Sequence, residues 1–306
     1  MSLRPTFEPE CREPVAESLR VVVEARPRTL GGIPVGRALP ARICRAVGPF
    51  VFLDEMGAAR LAPGQGIDVP PHPHIGLATV TYLFDGEILH RDSLGSHQII
   101  RPGAVNWMTA GRGIVHSERT PGAARARGSR LHGLQLWVAL PEADEGIEPS
   151  FAHHPEVALP AAERDGVTVR VLAGSAFGLA SPVAARSLLV LVDAAMPAGT
   201  ELRLPAAEEL AAYVVEGAVH VGALRGEAGR LLVFTPGAEV CLRAVLPARV
   251  VLLGGAPLGP RHMDWNFVAS DPARIERAKR DWEEGRFPVV PGDEHERVPL
   301  PETRRR

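Results

Sequence analysis

Apolar residues along this chain come in short runs punctuated by Gly, Pro and Asp, the pattern of strands joined by turns. Leu19 to Glu24 is a Val-rich run and reads as a first strand. T-V-T-Y-L-F over 79–84 is a strand by composition. Asp85-Gly86 follows as a hairpin turn, and 87–91 is the returning strand. Pro102-Gly103 and Gly111-Arg112-Gly113 mark further turns, which set off strands over 104–108 and 114–118. Leu134 to Leu140 is another apolar strand. One late segment has a helical pattern instead. Asp271-Pro272 offers an N-cap and a first-turn proline, and Ile275, Ala278 and Trp282 share one face. Arg277/Asp281 and Lys279/Glu283 are oppositely charged at i,i+4, and Gly285 is placed to end the helix.

The β pattern occurs twice. Y-L-F-D-G over 82–86 matches Y-V-V-E-G over 213–217, and Gly103, Thr109 and Gly111 recur at the same offsets as Gly229, Thr235 and Gly237. A Pro-, Ala- and Glu-rich stretch over 140–165 separates the two blocks. The expected organisation is an N-terminal arm over 1–18, a first β domain over 19–150, a second over 166–258, and a tail over 259–306 with a helix at 272–284. The fold class is all-β, two tandem β units with a short C-terminal helix.

Composition narrows the function classes. Of the 306 residues, 45% are hydrophobic and 23% charged, so a packed core is expected. The net charge of −2, with no basic patch beyond Arg304, Arg305 and Arg306, argues against direct nucleic-acid or anionic-membrane binding. No apolar run approaches the roughly 20 residues of a membrane helix. Cys11, Cys44 and Cys241 are odd in number and far apart, without a CxxC, which fits a reducing compartment. The first residues lack an apolar signal core, so a cytoplasmic protein is expected.

The chemistry lies in two short pairs, His72-Pro73-His74 and His116-Ser117-Glu118. On a strand, residues i and i+2 face the same side, so each pair offers two ligands to one face. Either pair alone reads equally well as ordinary histidines. Together in one β domain they make a three-His, one-carboxylate set suited to iron, nickel, manganese, copper or zinc. The linear repeat places Arg203, Pro205, Leu242 and Ala244 at the matching positions of the second domain, where no ligand survives. His90 and His97 are read as turn or strand histidines, with a hydrogen-bonding role behind the ligands as the alternative. His132 is assigned to structure, His153-His154 to a solvated linker, and Arg125, Arg127 and Arg130 to a solvated loop.

The run P-H-P-H-I-G-L-A-T-V-T-Y-L-F-D-G from Pro71 and the run P-G-A-V-N-W-M-T-A-G-R-G-I-V-H-S-E-R from Pro102 closely resemble the pirin family. So do L-H-G-L-Q-L-W-V over 131–138 and G-P-F-V-F-L-D over 48–54. The resemblance implies two tandem cupin barrels with one divalent metal, usually Fe(II), in the first. The family's ligands fall on His72, His74, His116 and Glu118. Many pirins carry Arg and Glu where this chain has Ile75 and Ala78.

Two functions are compatible with the resemblance. One is a dioxygenase of the quercetin 2,3-dioxygenase type, taking a small aromatic substrate and O₂, with Glu118 as catalytic base. The other is a metal- or redox-dependent regulator whose partner is a transcription factor or metabolic enzyme.

Overall fold

The structure is a computed structural model that describes residues 18–302. Residues 1–17 of the expected arm over 1–18, with Cys11, and Arg304 to Arg306 lie outside the described residues.

Two β units follow one another, each a large sheet facing a four-stranded one. In the first, the large sheet contains Arg26–Leu30, Ile33–Leu39, Phe50–Leu61, Leu77–Asp85, Val105–Thr109, Ser129–Ala139 and Ser150–His154. Its small sheet orders Asp68–His74, Ile114–Arg119, Ile88–Asp92 and His97–Ile100. The second unit repeats the plan, with Glu201–Arg203, Cys241–Ala244, Ala218–Val221 and Leu224–Glu227 as the small sheet. The repeated glycines serve equivalent turns. Gly86 and Gly217 both have positive φ, 90° and 75°, and a Cβ on either would strike a backbone carbonyl, that of Arg130 or of Pro247.

Three expectations about organisation need correction. Leu19–Glu24, expected in the first domain, instead pairs antiparallel with Arg230–Phe234 in the second unit's large sheet. The expected linker carries structure on both sides. Ser150–His154 closes the first sheet beside Val105–Thr109, and Ala161–Arg164 opens the second beside Val167–Ala176. His153 is therefore not a solvated linker residue, and its Nδ1 lies 2.7 Å from Asn106 Oδ1. Arg125 and Arg127 sit on a short helix, Gly122–Arg127, where Arg125 pairs with Asp68 at 2.7 Å.

The two large sheets pack against each other through a shared apolar layer that includes Val80, Leu136, Leu231 and Val251. The repeat tyrosines reach across it reciprocally. Tyr82 donates to Asp193 Oδ2 at 2.7 Å, and Tyr213 donates to Glu55 Oε2 at 2.6 Å. Buried hydroxyls need such partners. Arg249 holds Asp193 from the second side at 2.9 Å, and His132 holds Glu55 at 2.9 Å, in keeping with its structural assignment.

The helix runs Pro272–Glu283. Asp271 caps it by accepting from Ala273 N at 2.9 Å, and Gly285 follows at φ 69°. Ile275, Ala278 and Trp282 are buried, packed with Phe267 of the same segment and with Ile75 and Val115 of the first unit. The expected i,i+4 ion pairs give way to others. Lys279 is taken by Asp264 and Glu276, and Asp281 by Arg286. The segment beyond residue 259 is therefore a cover for the first barrel.

The second barrel has an aliphatic centre. Leu202 stands opposite Leu242 in the register that His72 and His116 occupy in the first unit. The frame positions are thus Leu202, Leu204, Leu242 and Ala244, all buried. Arg203 and Pro205, expected from the linear repeat, are displaced by one residue because the connection to Tyr213 is one residue longer than that to Tyr82. Leu242→Ala removes a fully buried side chain from this core. It is expected to lower stability by about 2–5 kcal/mol in denaturant titration, with no change in metal content.

Candidate metal centre

Each histidine is placed by a specific backbone feature. His72 and His116 face each other across the pair Asp68–His74 and Ile114–Arg119, with ring centroids 4.3 Å apart. Between His116 and Glu118 the register shifts, because Pro70 and Pro71 oppose the single residue Ser117. Proline lacks an N–H, so a β-bulge suits this pair. The bulge leaves carbonyls free for other work. Pro70 O lies 2.9 Å from His72 Nδ1, and Pro71 O accepts from Val298 N at 2.9 Å. His74 Nδ1 lies 2.9 Å from the carbonyl of Asn266, in the C-terminal cover.

Carbonyls accept only, so Nδ1 of His72 and of His74 carries the proton and each Nε2 keeps its lone pair. His74 Nε2 and His116 Nε2 are 3.1 Å apart, and His116 Nδ1 is buried without a partner. A single N–H from His116 cannot satisfy the lone pairs that meet here. One nitrogen from each of the three rings lies within 4.8 Å of the others, so the group can hold a metal ion. A cation shared by these nitrogens would resolve the conflict, and neutral imidazoles suit a borderline divalent metal.

Burial keeps the rings neutral. It lowers His72 to about 4, with His90 adding and the Pro70 carbonyl opposing. Burial also holds His74 and His116 well below their ordinary value, reinforced by neighbouring imidazoles. Ligands must be deprotonated to bind metal, so this environment prepares them.

Glu118 is also buried, but its carboxylate does not belong to the three-nitrogen group. Its Oε1 lies 3.2 Å from Thr81 Oγ1, which is itself 3.0 Å from Gln135 Oε1. Burial raises the Glu118 pKa, against opposing effects of His90 and Thr81. His72, His74 and Glu118 line one cavity of about 480 Å³ with Arg37, Phe52, Gln135, Trp137, Trp265, Asn266 and Val298. Ile75 and Ala78 are buried and do not line it; Ile75 packs under the C-terminal cover.

His90 departs from the ordinary strand role. It is buried, lies 3.0 Å from Asp92 Oδ2, stacks on Phe151 at 4.3 Å and has its ring centroid 5.3 Å from that of His116. It supports the His116 side of the group. His97 is exposed on its strand, as expected.

The chain matches the Pirin family profile over residues 32–138 and that of the Pirin C-terminal cupin domain over 191–288. A pirin-like protein of Caulobacter vibrioides is 49% identical, with 92% of this chain and 99% of that protein covered. A Pseudomonas aeruginosa protein provisionally named quercetin 2,3-dioxygenase is 41% identical, over 90% of this chain and 87% of the relative. Among solved structures, a quercetin 2,3-dioxygenase from Acinetobacter baumannii superposes with a TM-score of 0.86 at 36% identity, covering 93% of this chain and 97% of that one. With both cupin units matched in order and three neutral histidines gathered in the first, the chain belongs to the pirin family.

Proposed function

We propose that this protein is a metal-dependent dioxygenase of the quercetin 2,3-dioxygenase type, opening the ring of a flavonol or related phenol with O₂. His72, His74, His116 and Glu118 would hold one divalent ion, iron first, with nickel, manganese, copper or zinc compatible with the donor set. The observation that carries this reading is the cavity. It brings the imidazole pair His72 and His74, a buried carboxylate and aromatic walls to one place with room for a flat substrate. The names of the Pseudomonas and Acinetobacter relatives point the same way.

The bound ion would act as Lewis acid and as the centre for oxygen chemistry. The chain's own residues do the rest. Phe52 and Trp137, stacked on each other with centroids 4.1 Å apart, give the cavity a rigid aromatic wall beside which a planar ring would lie. Glu118, buried at the cavity wall beside Thr81, takes the hydroxyl proton of the substrate. The C-terminal cover contributes Trp265, Asn266 and Val298 to the walls and limits access of water. No helix among the described residues is long and apolar enough to cross a membrane. We place the protein in the cytoplasm, where Cys44 and Cys241 would remain the free thiols they are here.

The test is elemental analysis of the purified protein followed by oxygen uptake with quercetin. One metal per chain and flavonol-dependent uptake are expected. Metal-loaded protein that consumes no oxygen with flavonols would sink the dioxygenase and favour the metal-dependent regulator.

A further inference from the structure

From the metal group the cavity wall leads outward through rings to one cation. His74 meets Trp137 edge-on with centroids 5.1 Å apart, Trp137 stacks on Phe52, and Arg37 lies over the other end, its Cζ 4.4 Å from the Phe52 centroid. Arg37 is fixed there. Its Nε and Nη2 each donate to Asp54 at 2.7 Å, and Asp54 is fully buried. This fork leaves Nη1 with no hydrogen bond among the described residues, on a half-buried guanidinium that lines the cavity.

The charge balance at this end favours an anion. Arg26 stands opposite Arg37 on the neighbouring strand, and Arg26 and Arg28 add positive charge near the Arg37–Asp54 pair. Asp68, the other acid near this mouth, is already held by Arg125 at 2.7 Å and by Arg119 at 3.4 Å. A structural ion pair needs only Asp54. It does not need the open cavity edge or the ring path that ends on the guanidinium.

We infer that Arg37 is a specificity-determining residue, and that the substrate is a flat aromatic molecule with an anionic oxygen at the end remote from the metal. The inference rests on the dioxygenase reading for the placement of the substrate's other end. Hydrogen bonds between a guanidinium and an ionised oxygen are about twice as strong as neutral ones, and a rigid fork directs them.

The experiment compares binding of 3-hydroxyflavone and its 4′-carboxylate to the metal-loaded full chain, read by quenching of tryptophan fluorescence. The wild type is expected to bind the carboxylate about tenfold tighter, the scale of one charge-assisted hydrogen bond. Replacing Arg37 alone would strand the buried Asp54, so the main variant is Arg37→Met with Asp54→Asn, which leaves no buried charge unpaired. There the part of the preference due to the guanidinium hydrogen bond should be lost, leaving at most a weak, salt-screened attraction from Arg26 and Arg28. Arg37→Lys is the second variant. Its ammonium can satisfy Asp54 but offers no outward fork, so the preference should shrink. Equal affinities in wild type, or a preference unchanged in whichever variant folds, would overturn the assignment. Turnover is measured separately. A binding preference that depends on Arg37 in a protein without turnover upholds Arg37 and removes only the dioxygenase reading.

Discussion

His116→Ala is expected to yield a folded protein that binds no stoichiometric metal. His116 is the one imidazole of the group that comes from the opposing strand, with its Nε2 3.1 Å from His74 Nε2 and its ring centroid 4.3 Å from that of His72. Without it the first barrel keeps two imidazoles and one carboxylate set apart from them. The fold should survive, because the residue brings no hydrogen bond from its buried Nδ1, and the second barrel holds the same frame with Leu242 at this position. His72→Ala should behave alike. His90→Phe supplies the contrast. His90 backs His116 through ring contact and Asp92, and does not belong to the three-nitrogen group. Loss of such an outer partner typically costs roughly 10- to 100-fold in affinity and does not abolish binding. Elemental analysis and metal titration of the three variants separate the roles. Full occupancy in His116→Ala or His72→Ala would refute the ligand assignment.

The histidines were legible because strand geometry is local: a period of two puts His72 with His74 and His116 with Glu118 without knowledge of the rest of the chain. The same rule could have drawn His90 into the site, since His90 and Asp92 are also an i,i+2 pair on a strand. Its meaning depended on Phe151, from a segment that composition alone marks as linker. Arg37, Phe52, Trp265, Asn266 and Val298 carry no local signal. They reach the cavity from distant parts of the chain, and long-range pairing decides that. Sheet membership is equally non-local. Leu19–Glu24 is a strand by its own composition, yet nothing in those six residues says that Arg230–Phe234 will be the partner. The repeat located the second barrel but misplaced its frame by one residue on one strand. Arg203 is exposed while Leu202 is buried, because equal spacing in sequence ignores a one-residue difference in a connection.

Glu118→Gln is expected to lower flavonol turnover per bound metal by about 10²-fold, the scale of a lost general base. That corresponds to about 2.7 kcal/mol of transition-state stabilisation. Glutamine keeps the size and one oxygen of the side chain while removing its charge and basicity. Metal affinity should fall only moderately, since His72, His74 and His116 remain. The surroundings of Glu118 accommodate both of its proton states. Thr81 has one hydroxyl proton and two neighbouring acceptors, Glu118 Oε1 at 3.2 Å and Gln135 Oε1 at 3.0 Å. While Glu118 is ionised, Thr81 can donate to it. Once Glu118 has taken the substrate's proton, Thr81 can turn to Gln135 and accept from the carboxylic acid. Burial raises the Glu118 pKa and a bound cation would draw it down, so its basicity at the metal would be set by both. The loss should therefore appear in kcat, with KM for the flavonol nearly unchanged, because the aromatic cavity wall of Phe52 and Trp137 is intact. Turnover must be divided by metal content measured on the same sample. Equal turnover per metal in wild type and Glu118→Gln would remove the base role and leave Glu118 as a ligand alone.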